Sequence, residues 1–156
     1  MIKSIAPRLA KRHSHRASRG VTLMELLVVI AILGIITAVA VPTYRKYLIR
    51  AQRSEGKIAL LQLQTAQEKF YLQNNAYTDK VTDSSTAESP GLGLPGTSET
   101  GKYKVTVKIA DGGQAYTATA TPQTGQADDK DCAKLTLTER GVRGISGTKN
   151  PEFCWK

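Results

Sequence analysis

From Val21 to Val41 the chain runs for 21 residues with a single charged side chain, Glu25. As a helix this run is about 31 Å long, close to the thickness of a bilayer's hydrocarbon core. Nothing else in the sequence restricts the fold so tightly, because a water-soluble domain of this size has no place to bury such a segment. An ionised carboxylate near the bilayer centre costs at least about 2.5 kcal/mol, so Glu25 is a functional candidate whose partner must be sought. Six basic residues (Lys3, Arg8, Lys11, Arg12, Arg16 and Arg19) and no acid precede the run. They form a short positive leader, which favours a cytoplasmic N-terminus. The far side is basic too, with Arg45, Lys46, Arg50, Arg53 and Lys57 against Glu55.

Two plainer readings compete. One is a secretory signal peptide cut after Ala38-Val39-Ala40, before Val41. The apolar run is long for that purpose and carries Glu25. The other is a simple single-span anchor, in which Glu25 would be a liability. The 156 residues allow one ordinary domain besides a leader and a membrane segment. The net charge of +9 suggests nucleic acid until it is located. The leader holds six of the 22 basic residues and none of the 13 acids, which leaves the rest at +3, and residues 59–156 are neutral. The residual excess lies just past the apolar run, where a solvated face, anionic headgroups or a neighbouring subunit's acid would each accommodate it. The two cysteines, Cys132 and Cys154, read as one disulfide of a small exported domain. With no CxxC and no histidine after His15, they do not form a zinc set.

Helical spacing continues past Pro42 through Tyr44, Tyr47, Leu48 and Ala51, and an amphipathic stripe follows at Ile58, Ala59, Leu61, Leu63, Ala66 and Phe70. These residues predict one helix from about Val21 to Gln73, with Pro42 removing one backbone hydrogen bond. Asn74-Asn75 ends it, and an irregular connection rich in Ser, Thr, Gly, Pro and Asp runs to Gly101. Gly91-Leu92-Gly93-Leu94-Pro95-Gly96 has the letters of a dinucleotide fingerprint without the strand before it or the helix after it. Tyr103–Ile109 alternates strictly, Asp111-Gly112-Gly113 is a hairpin signal, and Ala115–Thr121 is the return strand. Asp128, Asp129 and Asp131 sit in a polar loop that lacks the spacing and distal Glu of an EF-hand, so they read as solvated acids rather than a calcium site. Leu135–Thr138 is a third strand and Gly141–Gly147 a turn-rich return. The fold expected is α+β: a long N-terminal helix whose second half packs on a small antiparallel sheet, with a disulfide-closed C-terminal loop.

Arg19-Gly20 directly before Val21-Thr22-Leu23-Met24-Glu25-Leu26 resembles the prepilin leader-peptidase site of type IV pilins and their secretion-system relatives. The resemblance implies cleavage between Gly20 and Val21, methylation of the new Val21 amine, and an assembly role for Glu25, the fifth mature residue. Val21 stands where the family usually has Phe. Gly34 and Pro42 fall where pilins carry a helix-loosening glycine and proline. The segment C-A-K-L-T-L-T-E-R-G-V-R-G from Cys132 and the closing C-W-K are most similar to PilE-type minor pilins of type IVa pili. The implied organisation is a leader at 1–20, an apolar helix half at 21–58 with its membrane or filament-core part at 21–41, and a globular head at 59–156.

On that resemblance the chain is a structural subunit serving pilus biogenesis, adhesion or twitching motility. It waits in the inner membrane as a single pass, N-terminus cytoplasmic and head periplasmic, before entering an extracellular pilus. Implied partners are other major and minor pilins, the prepilin peptidase and methyltransferase, the inner-membrane assembly machinery, and inner-membrane lipid. Residues 21–156 contain no catalytic constellation, and neither an enzyme nor a cofactor is expected. A DNA-uptake pilin is one alternative: Lys102, Lys104, Lys108, Arg140, Arg143 and Lys149 would be its basic stripe, and the neutral head disfavours it. A type II secretion pseudopilin, which shares the leader motif, is the other.

Overall fold

The computed structural model describes residues 20–83 and 90–156. The leader up to Arg19 and the loop residues 84–89 lie outside the described residues. Helix α1 spans Leu23–Asn74 and includes Pro42, close to the expected bounds. Asn75, with φ at +55°, turns the backbone into the left-handed region and stops it. The chain divides into two units, one ending at Ala40 and the other comprising Val41–Lys156.

In the first unit every described residue is exposed. In the second, α1 turns Arg53, Gly56, Leu60, Leu63 and Gln67 inward, at steps of three and four residues that make one helical face. This face differs from the expected stripe, for Ile58 and Leu61 are exposed and a charged and an amide side chain are buried. The reason is that the buried polar groups are satisfied. Gln67 Nε2 donates to the Thr78 carbonyl at 2.6 Å, and Oε1 accepts the Thr78 N–H at 3.1 Å. Gly56 is inward because the Tyr103 ring lies over it; a Cβ there would sit 3.1 Å from three ring carbons.

The sheet is an antiparallel meander of β1 (Tyr103–Ala110), β2 (Ala115–Pro122), β3 (Leu135–Thr138) and β4 (Arg143–Ile145). The three expected strands occupy their places, and the turn-rich return contains the fourth. Asp111–Gly113 forms a tight 3-10 turn with φ positive at all three residues. Alternation puts Tyr103, Val105, Tyr116, Ala118, Ala120, Leu135 and Leu137 into the core with Leu60 and Leu63. The Gly91–Gly96 stretch runs beside residues 80–83, with Leu92 and Leu94 N–H groups donating to the Lys80 and Val81 carbonyls; no helix follows it. Both sheet edges are covered in part. Thr97 bridges Lys104 beside β1, and the Trp155 indole donates to the Gly144 carbonyl of β4 at 3.1 Å. Trp155 belongs to a short helix, α2 (Pro151–Trp155), which the sequence reading missed. Its cap is local: Asn150 Oδ1 accepts the Phe153 N–H at 2.9 Å, and proline occupies the first turn.

Candidate functional site

Gly20 and Val21 precede α1, and Val21 is 72% exposed. Thr22 caps the helix. Its Oγ1 accepts the Glu25 N–H at 3.2 Å and its carbonyl accepts the Leu26 N–H at 3.1 Å. Glu25 therefore sits in the first turn, where the positive end of the helix dipole favours a carboxylate. Thr22 has a role that sequence reasoning passed over, although T-x-x-E is a known helix-start signal. Further along α1 a Cβ on Gly34 would meet open space, so this glycine is not there for want of room. Thr37 Oγ1 donates to the Leu33 and Gly34 carbonyls at 2.8 and 3.1 Å, which hides the one hydroxyl in that part of the helix. Pro42 has no N–H to give the preceding turn. Gly20 and Val21 thus lie just before the helix and Glu25 in its first turn, while Gly34 and Pro42 lie on later turns.

The second unit holds a constellation that was not foreseen. Arg53 and Asp129 form a two-pronged ion pair, Nε to Oδ2 and NH2 to Oδ1, each 2.7 Å. Their side chains are 6% and 1% exposed. Asp129 Oδ1 also accepts the Cys132 N–H at 3.2 Å, and Asp131 Oδ2 stands 3.6 Å from Arg53 NH2. The hydrogen bond to Asp129 holds the Arg53 guanidinium above its ordinary range, against the opposing effect of burial. The reading of Arg53 as part of a solvated juxtamembrane face, and of Asp129 as a solvated loop acid, is therefore corrected. An arginine buried without its acid would be too costly, so the pair is buried together. Cys132 and Cys154 are disulfide-bonded beside it. The result is a clasp: helix, acidic loop and C-terminal ring joined at one point.

Around the clasp, Gln126 Nε2 donates to the Ile49 carbonyl at 3.0 Å and to Tyr103 Oη at 2.9 Å. Burial pushes the Tyr103 phenol up to about 12, with the bond from Gln126 pulling the other way. Burial, and behind it Arg53 and Arg143, lowers Lys57, whose ammonium donates to the Lys156 carbonyl. Of the basic residues considered for a nucleic-acid stripe, three can be placed on the two edges of the sheet. Lys104 and Lys108 are exposed on β1, at one edge of the sheet. Arg143 lies on β4 at the other edge, in register with the buried Leu137, so it shares the core-side face; its guanidinium lies over the Trp155 ring at 5.3 Å.

A family model described as "Type IV minor pilin ComP, DNA uptake sequence receptor" matches residues 42–136, and the "Prokaryotic N-terminal methylation motif" matches residues 15–41. A type IV major pilin protein PilE1 of Neisseria gonorrhoeae is 37% identical over 94 residues, 60% of this chain and 49% of that one. A fimbrial protein of Pseudomonas aeruginosa is 29% identical over 144 residues, 90% of this chain and 92% of that one. The chain spans about half the length, or less, of several other curated pilins it matches. A crystal structure of the Neisseria meningitidis non-core minor pilin PilV aligns with a TM-score of 0.47 at 22% identity, over 65% of this chain and 90% of that one. With one model matching more than half of the residues and a second matching the start of the apolar helix, the chain belongs to the type IV pilin family.

Proposed function

We propose that this pilin is a minor subunit of a type IV pilus, held in the inner membrane by α1 until it is drawn into the fibre. The single observation behind this is the exposure of the apolar helix. Leu23, Met24, Ile30, Ile35, Ile36 and Val39 are each more than half exposed. Burying a side chain of this kind is worth about 1.5–3 kcal/mol, so the stretch must be covered by lipid or by other helices. Cleavage after Gly20 would remove six positive charges and create an amine at Val21. In the apolar layer that amine and the Glu25 carboxylate of a neighbouring subunit would neutralise each other. Their attraction at 4 Å is about 4 kcal/mol at an effective dielectric of 20, enough to choose register while helix packing supplies the cohesion. An interface of this head-to-tail kind does not close, and it propagates as a helical fibre. The test is mass spectrometry of the mature N-terminus together with sheared-pilus fractions. Methylated Val21 and co-purification with pili support the proposal; a mature chain starting at Val41 refutes it.

A second reading, DNA uptake, is favoured by the description of the family model that matches residues 42–136. Its test is a salt-dependent mobility shift of duplex DNA by the protein. The separation of Lys104 and Lys108 from Arg143 across the sheet counts against a single contiguous stripe.

A further inference from the structure

One side chain of α1 touches both arms of the disulfide. Arg53 reaches the residue immediately before each cysteine. Asp131 Oδ2 lies 3.6 Å from its NH2 group, and its guanidinium carbon lies 5.5 Å from the centre of the Phe153 ring. It also holds Asp129, whose Oδ1 accepts the Cys132 N–H. The cysteines themselves are shut away from solvent, Cys132 at 0% and Cys154 at 1% exposure. The two arms are also sewn to each other. The Thr148 and Lys149 N–H groups donate to the Lys130 and Asp131 carbonyls at 3.2 and 2.9 Å, and a Cβ on Gly147 would collide with the Asp131 carbonyl. Residues 123–134 and 146–156 thus form one plate, closed by the disulfide and lying outside the strands. Among the described residues, its polar ties to α1 are Gln126 to the Ile49 carbonyl, Arg53 to Asp129 and Asp131, and Lys57 to the Lys156 carbonyl. Residues 49, 53 and 57 are four apart, so the ties run in a line down one face of the helix. The middle tie is the one between buried opposite charges.

A plate held along a single line can lift as a unit while the strands stay paired, because proteins open in cooperative pieces smaller than the whole fold. We propose that the Arg53 tie is a gate on the Cys132–Cys154 bridge: thiols and disulfides from outside exchange with it only when the plate has lifted from α1. The chemistry sets the need for access. In reduction, the thiolate of an external dithiol attacks one cysteine sulfur, and the S–S electron pair leaves on the other cysteine as a thiolate. The reagent's second thiol then resolves the mixed disulfide, leaving two cysteine thiols and an oxidised reagent. With an external disulfide as oxidant the same steps run backward and make the bridge. Either direction needs a sulfur open to approach. The bridge is therefore made before the plate seats on the helix, and seating then keeps it from reductants.

The experiment follows reduction of the full chain in detergent micelles by excess dithiothreitol, at urea concentrations below the unfolding midpoint. New thiols are alkylated and counted by mass spectrometry. The wild type should be reduced slowly, and its rate should rise only shallowly with urea, since lifting the plate exposes a small part of the surface that unfolding exposes. Arg53→Ala should speed reduction about a hundredfold, the factor for stranding one partner of a buried ion pair, and keep the shallow slope. Arg53→Lys keeps the charge but not the fork, and covers the case in which Arg53→Ala does not fold. It should speed reduction about tenfold, the worth of one charge-assisted hydrogen bond. The control is Tyr116→Leu. Tyr116 is buried beside Tyr77 at the hairpin end of β2, about 20 Å along the strand from Pro122, where the plate begins. This change should lower the urea midpoint and leave the reduction rate within about twofold of wild type. Equal acceleration by Tyr116→Leu, or a wild-type rate as steep in urea as unfolding itself, would place the opening in global unfolding and overturn the gate. So would Arg53 variants reduced at the wild-type rate, or a wild type reduced as fast as the unfolded chain.

Discussion

The described residues up to Ala40 and the unit from Val41 onward solve the problem of stability in opposite ways. The first satisfies its backbone within one helix and caps it with Thr22, but it buries none of its side chains. The second is closed on itself, with a core of Leu60, Leu63, Tyr103, Tyr116, Leu135 and Leu137, a disulfide and a buried ion pair. A residue in the first unit can therefore be changed with little effect on folding and a large one on assembly. A residue in the second does the reverse. The contrast separates a surface kept for other molecules from a domain that needs none.

The sharpest test is Glu25→Val. Membrane retention should hold or improve, the head should fold with its disulfide intact, and leader removal should proceed. Pilus incorporation or Val21 methylation should be lost, as read by sheared-pilus fractions and mass spectrometry. Normal levels of both would erase the distinction between the two units.

Next in size is Arg53→Ala, which strands Asp129 in the interior and should cost the head about 3–5 kcal/mol. Urea unfolding followed by Trp155 fluorescence would measure it. The pair Arg53→Met with Asp129→Leu should recover most of that loss, because apolar isosteres often replace buried ion pairs without penalty. If Arg53→Ala is silent, the clasp is ornamental. Cys132→Ser should cost about 3 kcal/mol in the chain-entropy account, and lower subunit abundance without affecting cleavage after Gly20.

The smallest effect is one of pH. The Tyr103 phenol is raised to about 12 in the fold, so the unfolded chain loses that proton first as pH rises. Its contribution is complete below pH 10, the ordinary phenol value, and drains away between 10 and 12. Tyr103→Phe should flatten the alkaline limb of the stability curve there, measured by urea midpoints at successive pH values. An unchanged limb would assign the alkaline loss to Tyr116, which is raised by burial as well.

What could be read in the sequence follows from range. Tyr103–Ile109 and Leu135–Thr138 were legible because alternation is a local signal, and Val21–Val41 because its length is. The fourth strand, Arg143–Ile145, is too short to show a period and exists only by pairing with Leu135, Thr136 and Leu137. The helix at Pro151–Trp155 carried a readable start in Asn150-Pro151 that went unread. Arg53 and Asp129 were out of reach for a different reason. They are 76 positions apart and each sits in a charge-rich stretch, so nothing local separates them from solvated neighbours. The positions assigned to cleavage, methylation and assembly rested on resemblance; the residues alone supplied only that Glu25 is expensive.

One detail of the sheet bears on how such subunits coexist. The indole of Trp155 occupies the outward carbonyl of Gly144, and the segment at 96–98 occupies part of the rim of β1. Bare strand rims are templates on which foreign strands dock. Crowding many copies shoulder to shoulder raises their local concentration enormously, and unguarded rims would then zip one domain to the next. Blunted rims make the domains poor lateral neighbours for strand exchange. In the fibre proposed above, growth would then be left with a single direction, the one that the greasy rod dictates.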